Sequence, residues 1–270
     1  MARALKSRQL PSLRMPKIPR LPDASTPDVF EEMTLQEHLE ELRGRIVRIC
    51  IAVGLAFVAG VFLADPLLNG IVDQANVQNG LDISKPTDVI AIYFRIALYI
   101  AVAITAPVIL WHVFGFLAPG LTSKEKRVVF SSLPFVSFLF LIGVAYAFLV
   151  AAPRAFDFLS GFKTDIFSWD PDATEVVNFY LTLMIGLGIA FQIPIIMFLL
   201  AKLNIVSALR MRQYRKYSAM ILLVVSAVIT PSTDPINMAF VAIPLLLLYE
   251  VGIVVSRLFA RPKGVVTAAG

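Results

Sequence analysis

Apolar residues in this chain come in long unbroken runs, neither alternating as in a half-buried strand nor recurring every third or fourth position as in a soluble helix. Four runs are long, at about 46–64, 89–114, 128–152 and 176–201. A hydrocarbon core about 30 Å thick takes roughly 20 apolar residues in a helix, so each run is long enough to cross one. Two more, at about 218–230 and 236–255, are shorter or interrupted. The first of these rises only about 20 Å as a helix, and Pro231 and Pro235 reverse the chain after it. Barrel strands would need a polar–apolar alternation that these runs lack. The pattern predicts an all-α integral membrane protein with six transmembrane helices, the last two short. Pro107, Pro134, Pro194 and Pro244 fall inside the runs and are expected to kink or break them, which favours a curved wall over a compact bundle. There is no internal repeat of the kind that marks many secondary transporters.

Composition agrees. Of 270 residues, 58% are hydrophobic and only 16% charged, with a mean hydropathy of +0.78, against roughly a quarter charged in soluble domains. Cys50 is the sole cysteine, so an internal disulfide and a cysteine metal cage are both excluded. His38 and His112 are the only histidines, too far apart for a helical metal motif. Residues 1–33 carry six Lys and Arg among repeated prolines, a flexible basic tail without apolar periodicity. No apolar core follows its basic part, as a cleavable signal peptide would require. The expected organisation is this tail, a six-helix membrane unit over 34–258, and a short C-terminal tail over 259–270.

The net charge of +5 hides an asymmetry. Lys and Arg number twenty in the segments before span one, between spans two and three, between four and five, and after six; the alternate loops hold three (Lys85, Arg154 and Lys163) together with ten carboxylates. By the positive-inside rule both termini are expected in the cytoplasm.

Several polar segments stand out. Thr34-Leu-Gln-Glu37 fits a capping box, and Leu35, Leu39, Leu42, Ile46 and Ile49 recur at helical spacing behind it, predicting an amphipathic helix at the cytoplasmic interface that runs into span one. Its polar face carries Glu37, His38, Glu40, Glu41, Arg43 and Arg45. Local pairs such as Glu41 with Arg45 at i,i+4 explain such a face, yet acidic clusters on a flank facing anionic lipid are unusual. In Phe116-Leu-Ala-Pro119-Gly-Leu-Thr122-Ser-Lys-Glu125, Thr122 and Glu125 form a second capping box; Glu125 serves either as a helix-start charge or as the receiver of a cationic partner. Gln192, near mid-depth, is either a satisfied interhelical amide or a contact for another transmembrane helix. Glu250 lies near a cytoplasmic end, two turns before Arg257, where a structural pair with it or snorkelling is plausible. Catalysis has little support: G-x-S-x-G, a histidine–serine pairing, paired intramembrane aspartates and a Gly-rich phosphate loop are all missing. The basic tail is explained more simply by anionic lipids than by nucleic acid.

Taken together, His38-Leu-Glu-Glu-Leu-Arg-Gly-Arg45, Ala106-Pro-Val-Ile-Leu, Phe116-Leu-Ala-Pro-Gly-Leu with Glu125, Phe191-Gln-Ile-Pro194, Thr230-Pro231, Asp234, Ala242-Ile-Pro244 and Tyr249-Glu-Val-Gly252 resemble the TatC family, the multi-spanning receptor subunit of the twin-arginine protein translocase. The landmarks cover about residues 34–258 in the family's order. The resemblance implies a glove-like bundle in a prokaryotic inner or plasma membrane. It implies a non-enzymatic receptor, without cofactor, that binds Arg-Arg signal peptides of folded precursors and works with single-span TatA/TatB-type subunits and further copies of itself. The proton-motive force would drive export. Glu41 and Glu125 match the positions that recognise the arginine pair, with Arg43 in support and Phe116 and Pro119 in the same site. Gln192 and Pro194 are the implied partner-helix contacts; Asp234, Glu250 and His38 are structural or gating candidates. The chain departs from the family at Gln192, often glutamate, and at Asn237-Met238, commonly Ser-Gln. The competing reading is a small-solute or ion transporter with Gln192 and Glu250 at a midplane site.

Overall fold

The computed structural model describes residues 35–75, 81–117, 121–162, 171–203, 205–230 and 234–259. Within them the chain is helical, with no strand beyond one isolated bridge between Asp82 and Asp172. Five helical stretches are long and apolar enough to cross a membrane: Gln36–Ala75, Asp88–Phe116, Glu125–Gly161, Ala173–Lys202 and Pro235–Leu258. The 1–33 tail, the Thr34 cap, Pro119 and the C-terminal tail lie outside the described residues.

Helix α1 (Leu35–Ala75) runs unbroken for 41 residues, about 60 Å at 1.5 Å per residue. The predicted interfacial helix and first span are one element, which continues eleven residues past the expected end at 64. Helix α2 (Asp88–Leu117) returns antiparallel beside it. Their crossing is close because Gly60 has no side chain: a Cβ there would lie 2.2 Å from the Ala97 carbonyl oxygen. Small residues bring backbones together in lipid, where apolar burial between helices offers little advantage over contact with acyl chains.

Helix α3 (Ser123–Tyr146) passes through a π-helical turn, Ala147–Ala151, into α4 (Ala152–Gly161). Pro153 stands in the first turn of α4. A proline there removes an N–H and crowds the preceding turn, which the wider π geometry accommodates. Helices α5 (Ala173–Ala190) and α6 (Ile193–Lys202) form the next stretch, joined by a turn at Phe191 and Gln192. α5 is the centre of the core: Val176, Val177, Tyr180, Leu181, Leu183 and Leu187 are essentially inaccessible.

Of the four prolines expected to kink or break helices, only Pro194 stands at an interruption, at the start of α6. Pro107, Pro134 and Pro244 sit within continuous α2, α3 and α9, as does Pro66 within α1. The short apolar segment at 218–230 forms α8 (Arg215–Ile229), preceded by the six-residue α7 (Ala208–Gln213). At 15 residues α8 rises about 22 Å. Helix α9 (Pro235–Phe259) closes the chain against α6, α7 and α8.

The pairing expected for Glu250 changes. Its partner is Arg215 at the start of α8, at 2.6 Å from Nε to Oε1 and 2.7 Å from Nη2 to Oε2. Arg257 lies two turns along the same helix on an exposed position, whereas Arg215 comes from the neighbouring helix and meets the carboxylate with both arms of its fork. Next to it, the Tyr249 hydroxyl accepts from Ser218 Oγ and donates to the Met211 carbonyl, each at 2.8 Å. These bonds fasten α7 and α8 to α9.

Candidate functional site

The α1–α2 hairpin brings three of the sequence candidates together at one end of the bundle. His38 stacks on Phe116 with ring centroids 4.2 Å apart and planes 14° from parallel. Beneath the stack, Glu41 Oε2 lies 3.9 Å from His38 Nδ1, beyond hydrogen-bond range, and is buried with no partner. The other oxygen, Oε1, accepts from Arg45 Nε at 2.9 Å and also from Arg45 Nη2. Both side chains are about four-fifths covered, at 21% and 19% exposure. The i,i+4 pair expected from spacing therefore forms, but on the inner face of α1.

Of the predicted apolar stripe, Leu39 and Ile46 are 65% and 49% exposed, while Leu42 and Ile49 are half-buried. In a bilayer an outward apolar side chain meets lipid. The polar pair turns toward α2.

Gly115 on α2 makes room for this pair. A Cβ at Gly115 would stand 2.2 Å from Arg45 Nη1 and 2.9 Å from Arg45 Cζ. The guanidinium thus rests directly on the α2 backbone, one residue before Phe116. His112, one turn back, lies within electrostatic reach of Arg45 and Arg48, and its Nδ1 is buried without a partner. Arg45, Gly115 and His112 were not among the sequence candidates for this site. The signal was a glycine inside an otherwise apolar helix at the position facing an arginine.

Other candidates lie apart. Arg43 occupies the exposed face of α1 and pairs with Glu40 at 3.4 Å, both side chains about three-quarters exposed. Glu125 completes the predicted capping box: its Oε2 accepts from the Thr122 amide at 2.9 Å, and its own amide donates to Thr122 Oγ1 at 3.4 Å. Glu125 and Glu41 share no hydrogen bond or ion pair among the described residues. Asp234 caps α9, its Oδ1 accepting from the Asn237 amide at 2.7 Å.

Gln192 is 7% exposed. Its Nε2 donates to the Gly188 carbonyl at 3.3 Å, a bond within its own segment, so the reading as a satisfied interhelical amide is not met, and Oε1 is left buried without a partner. It lines a cavity of about 350 Å³ among α2, α3, α5 and α6. A second cavity of about 380 Å³, lined by Pro194, Leu139 and Leu248 among others, lies between α3, α6 and α9. Glu250 lines neither cavity and is tied to Arg215, so a shared midplane site with Gln192 finds no geometry here. No group of three His, Cys, Asp or Glu among the described residues is placed to hold a metal.

Comparison with known proteins decides the family. The family model described as Sec-independent protein translocase protein (TatC) matches residues 37–244. The chain belongs to the TatC family. It is 34% identical over 229 residues to the Sec-independent protein translocase protein TatCy of Bacillus subtilis, covering 84% of this chain and 89% of that protein. To the TatC of Carboxydothermus hydrogenoformans it is 32% identical over 232 residues, covering 86% and 95%. A crystal structure of the twin arginine translocase receptor TatC superposes with a TM-score of 0.70 at 33% identity, covering 83% of this chain and all of that one. A second crystal structure of that receptor gives 0.72 at 31% identity. TatC proteins are non-enzymatic translocase subunits of the membrane, and the five apolar spans of this chain fit that place.

Proposed function

We propose that this TatC protein is the receptor for Arg-Arg signal peptides of folded precursors, with Glu41 and Glu125 as the carboxylates that receive the arginine pair. In this reading the chain crosses a prokaryotic inner or plasma membrane six times, α8 making the short fifth crossing, with both termini in the cytoplasm. The charge asymmetry between alternate loops supports that orientation. Single-span TatA/TatB-type subunits, further copies and anionic lipids are its partners, and the proton-motive force drives export. Phe116, Pro119 and Arg43 belong to the same signal-peptide site, Arg43 in a supporting role. Gln192 and Pro194 meet the partner helix, while Asp234, Glu250 and His38 keep structural or gating roles.

One observation carries the reading. Glu41 already holds a guanidinium by two N–H donors, in a half-buried pocket walled by an aromatic stack. Such a carboxylate is suited to arginine and poorly suited to an ammonium, which lacks the planar fork. The test is photocrosslinking of the detergent-solubilised protein to an Arg-Arg signal peptide and to its Lys-Lys version. Selective labelling of the first is expected; equal labelling of both would remove the receptor assignment.

A further inference from the structure

The carboxylate proposed to receive an incoming arginine is already occupied by one from the same chain. Both donors of Arg45 converge on Glu41 Oε1. Its Oε2 is covered, unpartnered, and lies under the His38–Phe116 stack. Neither oxygen is open to a ligand as the site stands. The arrangement is also built around Arg45, because the bare backbone of Gly115 is what lets its guanidinium lie flat against α2.

We infer that Arg45 is an internal competitor at this site: a guanidinium that an incoming ligand must displace from Glu41. The inference rests on the receptor reading given above. An intramolecular partner four residues away is present at high effective concentration, so a ligand gains only the difference between its own contact and the one it replaces. An incoming arginine replaces like with like, restoring two charge-assisted bonds and using Oε2 as well. A lysine offers a point charge without the fork, cannot reproduce the grip on Oε1, and leaves the exchange uphill. The cost of displacing Arg45 is the same for both ligands and cancels in the difference between their affinities, so the fork sets the preference and Arg45 sets how tightly either is held. The exposed Arg43–Glu40 pair on the opposite face provides no such competition.

The experiment uses the full chain in nanodiscs and fluorescently labelled Arg-Arg and Lys-Lys signal peptides, with each Kd value as readout. Arg45→Gln removes the competitor. Gly115→Ala leaves every charge in place but puts a methyl group where the Arg45 tip sits, evicting it; because that tip is the end of a flexible side chain, the helix itself has little to relocate. Both variants are expected to bind both peptides more tightly, by about fivefold or more, with their ratio near that of the wild type. If Arg45 only steadies Glu41, both variants bind the Arg-Arg peptide no better or more weakly, and that result would overturn the inference. Should Arg45→Gln fail to fold, Gly115→Ala decides alone. Failure of the underlying reading is separately visible: wild-type protein would not prefer the Arg-Arg peptide, and Glu41→Gln would leave its binding unaltered.

Discussion

The side-chain amide of Gln192 reaches back one turn to the Gly188 carbonyl at 3.3 Å, and its oxygen is left buried with no partner. The residue lines a cavity among α2, α3, α5 and α6, and an unmet buried acceptor is costly. If a partner helix supplies the donor, Gln192→Leu loses about 0.6–2 kcal/mol of helix–helix affinity, the range for one interhelical bond in lipid. Gln192→Glu retains the contact, because burial favours a neutral carboxyl that hydrogen-bonds much as the amide does. Site-specific crosslinking from Ile189 or Ile196 to a single-span partner, across the three versions, measures this. A leucine variant that crosslinks like the wild type would reduce Gln192 to a packed core amide.

At the other end of the bundle, Asp172 joins the segment before α2 to the start of α5. Its carboxylate accepts from Ser84 Oγ, from the Thr174 amide at 2.8 Å and from the Glu175 amide at 3.4 Å, while the Ala173 amide donates to the Asp82 carbonyl at 2.8 Å. The Ser84 hydroxyl, and after it the two backbone amides, hold this carboxyl below the usual carboxylate range. A depressed folded value means the contribution is present above the unfolded pKa of about 3.9 and disappears as pH falls through the folded one. Amide exchange at residues 173–175 should therefore be flat from neutral pH down to about 4, once corrected for intrinsic rates, and accelerate below it. Asp172→Asn should remove the acid step; an unchanged step in that variant would place its origin elsewhere.

What the sequence made legible follows from what lipid does to a helix. Long apolar runs gave α2 and α9 nearly to their ends, the runs at 128–152 and 176–201 missed the π turn after α3 and the break between α5 and α6, and Thr122 with Glu125 announced a cap that forms. The stripe from Leu35 to Ile49 was legible as a helix, but periodicity identifies a face without saying whether protein or lipid meets it. Glu41, Arg45 and Gly60 face α2, where Gly115 receives Arg45, and nothing local encodes that. Proline was equally ambiguous: Pro134 and Pro194 look alike in sequence, yet only the second stands at a break. Glu250 paired across helices, and i,i+4 reasoning along a single helix could not reach Arg215.

That cross-helix contact is the weaker of two that fasten α8. Arg215 and Glu250 are 49% and 43% exposed, and water screening leaves such a pair about 0–1 kcal/mol. Tyr249 is 9% exposed and serves two bonds at once. Tyr249→Phe strands the Ser218 hydroxyl and the Met211 carbonyl, at a cost of about 1–3 kcal/mol for an unsatisfied buried group. In a thermal-unfolding series in detergent, Tyr249→Phe should lower Tm clearly more than Glu250→Gln. The reverse order would mean that the ion pair, not the hydroxyl, holds α8 in place.

Glu125 has a structural duty and a proposed functional one, and a single substitution separates them. Glutamine at the third helical position sustains a capping box as glutamate does, so Glu125→Gln should keep the bond to the Thr122 amide and leave α3 intact. What it removes is the charge. A charge-assisted hydrogen bond contributes roughly 1.5–3 kcal/mol, so affinity for an Arg-Arg signal peptide should fall about tenfold or more while thermal stability stays near that of the wild type. Glu125→Ala loses the cap as well, with about 0.5–2 kcal/mol of added instability. Glu125→Lys should abolish peptide binding while still inserting, because a cation now repels the arginine pair. The decisive comparison is glutamine against wild type in a peptide titration at low and moderate salt, since an interfacial charge is partly screened. Equal affinities there would leave Glu125 as a helix cap and nothing more.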